Sequence, residues 1–169
     1  MLGLPAATAN VLCFIGSWFF TSAGWMQLVL ADPDKPAEWL SAATQFAGTV
    51  LFNVSTGSAV WAQAVTAERR FVWAPDATGS VAFLVSGLLA LAAVGVLTVR
   101  SRDGVAAWVN MIGCIAFGVS AAAAFVTRTG DTVDTRLANL GTFVGALCFL
   151  AAALMVLPRF RGGPQVMGR

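Results

Sequence analysis

Five stretches of this chain are each long and apolar enough to cross a bilayer, and short links hold nearly all the charge between them. A crossing helix needs about 20 mostly apolar residues. The sequence predicts helices over about 6–31, 41–65, 76–99, 105–127 and 137–157. A soluble domain of 169 residues cannot keep that much apolar surface from water. Only 11% of its residues are charged and its mean hydropathy is +0.79, where soluble domains carry about 25% charged residues. The expected fold is all-α: an integral membrane up-down bundle of five transmembrane helices in one domain, with a short basic tail at 158–169. The lipid bilayer is its first partner.

The links run through Asp32, Asp34, Lys35 and Glu38, then Glu68, Arg69 and Arg70, then Arg100, Arg102 and Asp103, and last Arg128, Asp131, Asp134 and Arg136. Pro33 and Pro36 break the first link, and Pro75 precedes the third helix with Asp76 as its predicted N-cap. Links this short make neighbouring helices antiparallel and adjacent. Trp25, Trp39 and Trp108 map to one membrane face, and Trp61 and Trp73 to the other, where amphipathic rings settle at headgroup level. Only Trp18 is placed deep. The face with the C-terminus carries Lys35, Arg100, Arg102, Arg159, Arg161 and Arg169, against Arg69, Arg70, Arg128 and Arg136 on the other. Six against four predicts a cytoplasmic C-terminus. Val29-Leu30-Ala31 resembles a signal-peptide cleavage site, but no basic stretch leads into it and the apolar run is long, so the segment reads as a helix.

A local pattern recurs in every helix. Gly16, Phe20 and Ala23 are followed by Gly48, Phe52 and Ser55, by Gly79, Phe83 and Ser86, by Gly113, Phe117 and Ser120, and by Gly145, Phe149 and Ala152. The glycines stand 32, 31, 34 and 32 positions apart. Offsets of 0, 4 and 7 in this G-x-x-x-F-x-x-[SA] pattern lie on one helix face, so each helix is expected to present notch, knob and notch along one stripe. In lipid, helices associate through close contact, which small residues permit, and a phenylalanine of one helix is expected to fill a glycine notch on another. Gly141 and Gly145 add a GxxxG spacing to the fifth helix.

The segments FIGSWFFTSAGWMQL (14–28) and ATQFAGTVLFNVSTGSAVW (43–61) resemble the two helices of the YrhK-like domain, a small bacterial membrane module, and 73–92 and 108–125 resemble further copies. That resemblance implies a fold and a membrane location but no chemistry. Five crossings depart from a two-helix module. Arginine far outnumbers the single lysine and alanine is abundant, as in GC-rich bacterial genomes, which points to a bacterial plasma (inner) membrane.

Catalytic chemistry finds little support. There is no histidine, so the commonest general base, metal ligand and haem ligand are missing. Cys13, Cys114 and Cys148 sit in apolar segments with no C-x-x-C spacing and read as small packing residues. No hydroxyl has a base beside it, no phosphate-cradling loop occurs, and the acidic link at 32–38 reads as a solvated turn. Neither enzyme activity, a metal nor a cofactor is expected, and the net charge of +2 without a basic stripe excludes nucleic acid as a partner.

Polar residues inside a membrane are the default candidates for function. Gln45, Thr49, Asn53, Thr56 and Gln63 share one stripe of the second helix, with Asn53 near the centre of the span. Asp76, Asn110 and Gln45 each stand three positions before their glycine. The stripe reads first as interhelical hydrogen bonding and second as the lining of a polar pathway. No carboxylate is placed at the midplane, which counts against ion coupling. The sequence thus predicts a non-catalytic structural or accessory subunit that packs against itself or a larger membrane complex. Its alternative is a channel or carrier for a small neutral or polar solute, lined by the Asn53 stripe.

Overall fold

The computed structural model describes residues 6–62 and 64–156. Gln63 and the basic tail at 158–169 lie outside the described residues. Among the described residues there are five long helices and no strand, only an isolated bridge between Val126 and Thr132. We label the helices α1 (Ala6–Leu30), α2 (Pro36–Ser58), α3 (Val65–Val94), α4 (Arg102–Ala123) and α5 (Thr135–Val156). Four of them, α1, α3, α4 and α5, are long and apolar enough to cross a membrane.

Consecutive helices are antiparallel neighbours. Thr21 meets Thr49 and Ser17 meets Thr56 across α1–α2, while Ser41 meets Ser86 and Gly48 meets Gly79 across α2–α3. Trp73 and Ser80 reach the carbonyls of Ala121 and Phe117 across α3–α4, and Ser120 reaches that of Ala138 across α4–α5. Partners on one helix fall in sequence as those on the other rise.

The helix boundaries differ from the sequence expectation most in α3. Its start was expected at 76 with Asp76 as N-cap; the helix instead begins at Val65, and Asp76 lies well inside it. The turn that carries it past Pro75 is a π-helix over Glu68–Trp73, in which the N–H of Ala74 reaches the carbonyl of Arg69. Pro75 has no N–H to return to Phe71 and its ring would crowd that carbonyl in a regular α turn; the wider π turn relieves both. Glu68, Arg69 and Arg70, expected in a link, are therefore helical. At the other end α3 stops at Val94 rather than 99, because Gly95 takes φ +91°, a conformation that side chains disfavour.

In α2 the helix runs from Pro36, not 41, to Ser58, not 65. Pro36 occupies the first turn, where its missing N–H goes unneeded. The centre of α2 falls near Ala47, so Asn53 lies six residues past the centre rather than on it. The fourth helix starts at Arg102, three residues earlier than expected, where Ser101 Oγ caps the Gly104 N–H at 3.0 Å. Asp134 caps α5 by accepting from the N–H groups of Arg136 and Leu137, both at 2.9 Å. The intervening loop closes on Gly130, at φ +92°, and is tied to α3 by Arg69, whose Nε donates to the Val126 carbonyl at 2.7 Å.

Candidate functional site

The interior has two parts, one aromatic and one polar. The aromatic part collects one phenylalanine from each helix. Phe20, Phe52, Phe83, Phe117 and Phe149 meet with ring centroids 5.3–6.2 Å apart. Phe83 and Phe117 are almost wholly buried and Cys114 packs against them. Helical side chains lean toward their own N-terminus, so a phenylalanine four residues after a glycine leans back to that glycine's level. In two antiparallel pairs the glycines stand close together, and the rings reach across. A Cβ on Gly48 would lie 2.5 Å from the Phe83 ring, one on Gly113 would lie 2.7 Å from Phe149, and one on Gly145 would lie 2.5 Å from Phe117. Gly79 is covered differently, by the Gly48 carbonyl at 3.0 Å from the same added atom. Gly16 faces no neighbour within 4 Å. At Gly141 an added Cβ would meet the Ala116 carbonyl at 2.8 Å, so the GxxxG face of α5 lies against the backbone of α4.

Repeat serines bond across helices. Ser86 Oγ donates to the Ser41 carbonyl at 2.8 Å and Ser41 Oγ donates back to the Ser86 carbonyl at 2.9 Å. Ser120 Oγ donates to the Ala138 carbonyl at 2.6 Å and sits 2.8 Å from Thr142 Oγ1.

The polar part is a seam between α1 and α2. Thr49 is fully buried and its carbonyl accepts from Thr21 Oγ1 at 3.2 Å. Asn53, half-buried, donates from Nδ2 to Thr21 Oγ1 at 3.3 Å. Thr56 Oγ1 stands 3.0 Å from Ser17 Oγ, whose own hydrogen reaches the Phe14 carbonyl at 2.7 Å. Asn10 Nδ2 donates to the Ala59 carbonyl at 2.9 Å and completes the seam. Gln45 is buried one turn away, and its Oε1 accepts no hydrogen bond among the described residues. The structure thus brings Thr49, Asn53 and Thr56 together with α1. It does not bring Asp76 or Asn110 to them: Asp76 is half-buried in α3, and Asn110 Nδ2 lies 3.8 Å from Cys114 Sγ in its own helix.

Sequence reasoning missed Asn10, Ser17 and Thr21 as partners of this stripe. Ser17 and Thr21 stand four apart and so share a face of α1, which was a usable signal. Trp18 lies on the outer face of α1 and is more than half exposed. Among the described residues no three of His, Cys, Asp and Glu come together as a metal cluster would require.

These helices define an all-helical membrane protein with several crossings. Comparison with family models, with curated proteins and with solved structures returns no match for the chain.

Proposed function

We propose that this protein is a non-catalytic membrane bundle of five crossings, acting as a structural or accessory subunit in a bacterial inner membrane. The observation that carries this reading is the aromatic layer: five rings occupy the place where the five helices converge. A fifth crossing by α2 is supported by the direction its polar groups take. Ser41, Gln45, Thr49, Ser55, Thr56 and Ser58 are all buried, while Leu40, Val50 and Val54 are exposed. A helix with polar groups turned inward and apolar groups outward suits lipid even when its average composition is modest. The recurrence of glycine, phenylalanine and serine reads as one packing device used five times, and the likeness to YrhK-like modules belongs to the same proposal.

On this reading a partner meets the chain within the bilayer or at the tail, and the C-terminus is cytoplasmic. Purification in a mild detergent with mass determination tests it. The expected result is a homo-oligomer or a co-purifying subunit; a lone stable monomer would count heavily against it.

The alternative, a carrier for a small neutral solute, draws on the half-buried amide of Asn53. Replacing Asn53 by leucine separates the two. Loss of flux through reconstituted vesicles with folding intact favours the carrier, and a change in thermal stability alone favours a packing role.

A further inference from the structure

A groove of about 550 Å³ runs between α1 and α2. Phe14, Trp18 and Val54 form apolar walls, Trp61 and the polar Ser58 stand toward its end, and Thr21 and Asn53 are the polar groups deeper within it. Trp18, Val54 and Trp61 are exposed, so the groove opens on the outside of the bundle rather than into it. We propose that it binds a neutral lipid alcohol, with the hydroxyl on the Asn53 amide and the hydrocarbon chain along Trp18 and Val54. The inference goes beyond the proposed function and rests on one part of it, that α2 lies in the bilayer.

The argument starts from unanswered hydrogen-bonding capacity. An amide offers two N–H donors and a carbonyl acceptor. Among the described residues Asn53 has one partner, Thr21 Oγ1 at 3.3 Å, and the hydroxyl hydrogen of Thr21 is directed to the Thr49 carbonyl. One donor and the acceptor of Asn53 remain free. An acyl chain laid over them would leave both unmet in hydrocarbon, where no water can replace the missing bonds. A hydroxyl both donates and accepts, so it meets the amide whichever way round the oxygen and nitrogen stand.

Depth selects against a charged head. Asn53 is five residues inside the end of α2 at Ser58, or about 8 Å along the axis. A phosphate drawn to that depth would lose its hydration, while a hydroxyl needs only the one polar partner. The walls suit the rest of such a molecule. The Phe14 and Trp18 rings pack edge to face at 6.2 Å and Trp61 adds a third aromatic surface. Diacylglycerols and isoprenoid alcohols share this chemistry.

Native mass spectrometry of the full chain in detergent tests the proposal with three probes: dioleoylglycerol, its acetate ester and farnesol. The two alcohols are expected to be retained and the acetate, which cannot donate, to be retained at least about threefold less. Asn53→Leu is expected to lower retention of the alcohols by about 3- to 30-fold, the equivalent of an interhelical-strength hydrogen bond of ~0.6–2 kcal/mol. Asn53→Gln is expected to restore part of it. Val54→Trp, which fills the groove and keeps the amide, is expected to weaken both alcohols. The stronger of dioleoylglycerol and farnesol identifies the source. Equal binding of the acetate, unchanged binding by Asn53→Leu or Val54→Trp, or no adduct with any probe overturns the proposal. Labelling of Val54→Cys in vesicles by a water-soluble maleimide keeps the two readings apart. Protection with no preference for the alcohols sinks the groove alone, whereas labelling removes α2 from the bilayer and sinks both.

Discussion

The α1–α2 and α4–α5 pairs join antiparallel helices with a different balance of hydrogen bonds and glycine notches. Between α4 and α5, Gly113 and Gly145 leave room that Phe149 and Phe117 occupy, and Ser120 adds bonds to Ala138 and Thr142 at one end. Between α1 and α2 the hydrogen bonds of Thr21, Asn53, Thr56 and Asn10 span the gap, with one ring-in-notch contact where Phe14 covers Gly57. There Gly16 meets nothing within 4 Å, and an open groove lies alongside. Dispersion weakens steeply with a small gap, so a seam built on ring-in-notch contact tolerates no added atom. A hydrogen-bonded seam accepts more separation. The same three-residue pattern therefore serves different ends in different helices, according to how closely the neighbour comes.

Substitutions ranked by size test this contrast. The largest effect belongs to the layer that both pairs share. Phe117→Ala removes a ring that touches Phe20, Phe52, Phe83 and Phe149. It is expected to destabilise the bundle by about 3–5 kcal/mol, as buried phenylalanine deletions do, read by denaturation in mixed micelles. Next comes Gly145→Val in the tight pair, where the added carbons strike the Phe117 ring. Overpacking of this kind costs about 1–3 kcal/mol, and the same titration should show it. A smaller loss is expected for Ser17→Ala in the polar seam, which leaves Thr56 without its α1 partner. About 0.6–1.7 kcal/mol is the span for such bonds in membranes, with a double-mutant cycle against Thr56→Val to isolate it. Smallest is Gly16→Ala, which meets open space. Its effect should stay within about 0.5 kcal/mol of zero. If Gly16→Ala proved as damaging as Gly145→Val, the contrast between the seams would break.

Much of the fold could be read from the chain because lipid imposes a length. Runs of some twenty apolar residues place α1, α3, α4 and α5 within a few residues of their ends, except at the start of α3, and Phe20, Phe52, Phe83, Phe117 and Phe149, whose rings meet in the structure, share one spacing in the sequence. What could not be read was where a helix ignores its punctuation. Pro75 looks like a start signal, yet the π turn over Glu68–Trp73 carries the helix through it, and Asp76 is thereby moved from a cap to an interior position. The end of α2 was hidden for a related reason. Ala59, Val60 and Trp61 continue the apolar run past Ser58, but they are turn residues. Hydropathy cannot tell a helix end from an apolar turn, and this early end together with the early start at Pro36 displaces Asn53 from the expected centre. In the candidate site the α2 side was legible and the α1 side was not. Thr49, Asn53 and Thr56 advertise themselves by periodicity along one stripe, whereas Ser17 and Thr21 become partners only through the register of two helices.

The stacking of Phe20 on both Phe117 and Phe149 bears on how the chain is made. Phe20 on α1 is made before α4 and α5, which carry two of the rings it stacks on. Until α4 and α5 arrive, Phe20 has only Phe52 and Phe83 beside it, and the layer stands open on one side. The helices are made one by one, but the aromatic layer closes only once α5 has been synthesised. A chain truncated before α5 thus lacks Phe149 and leaves the Phe20, Phe83 and Phe117 rings without the neighbour that closes their layer.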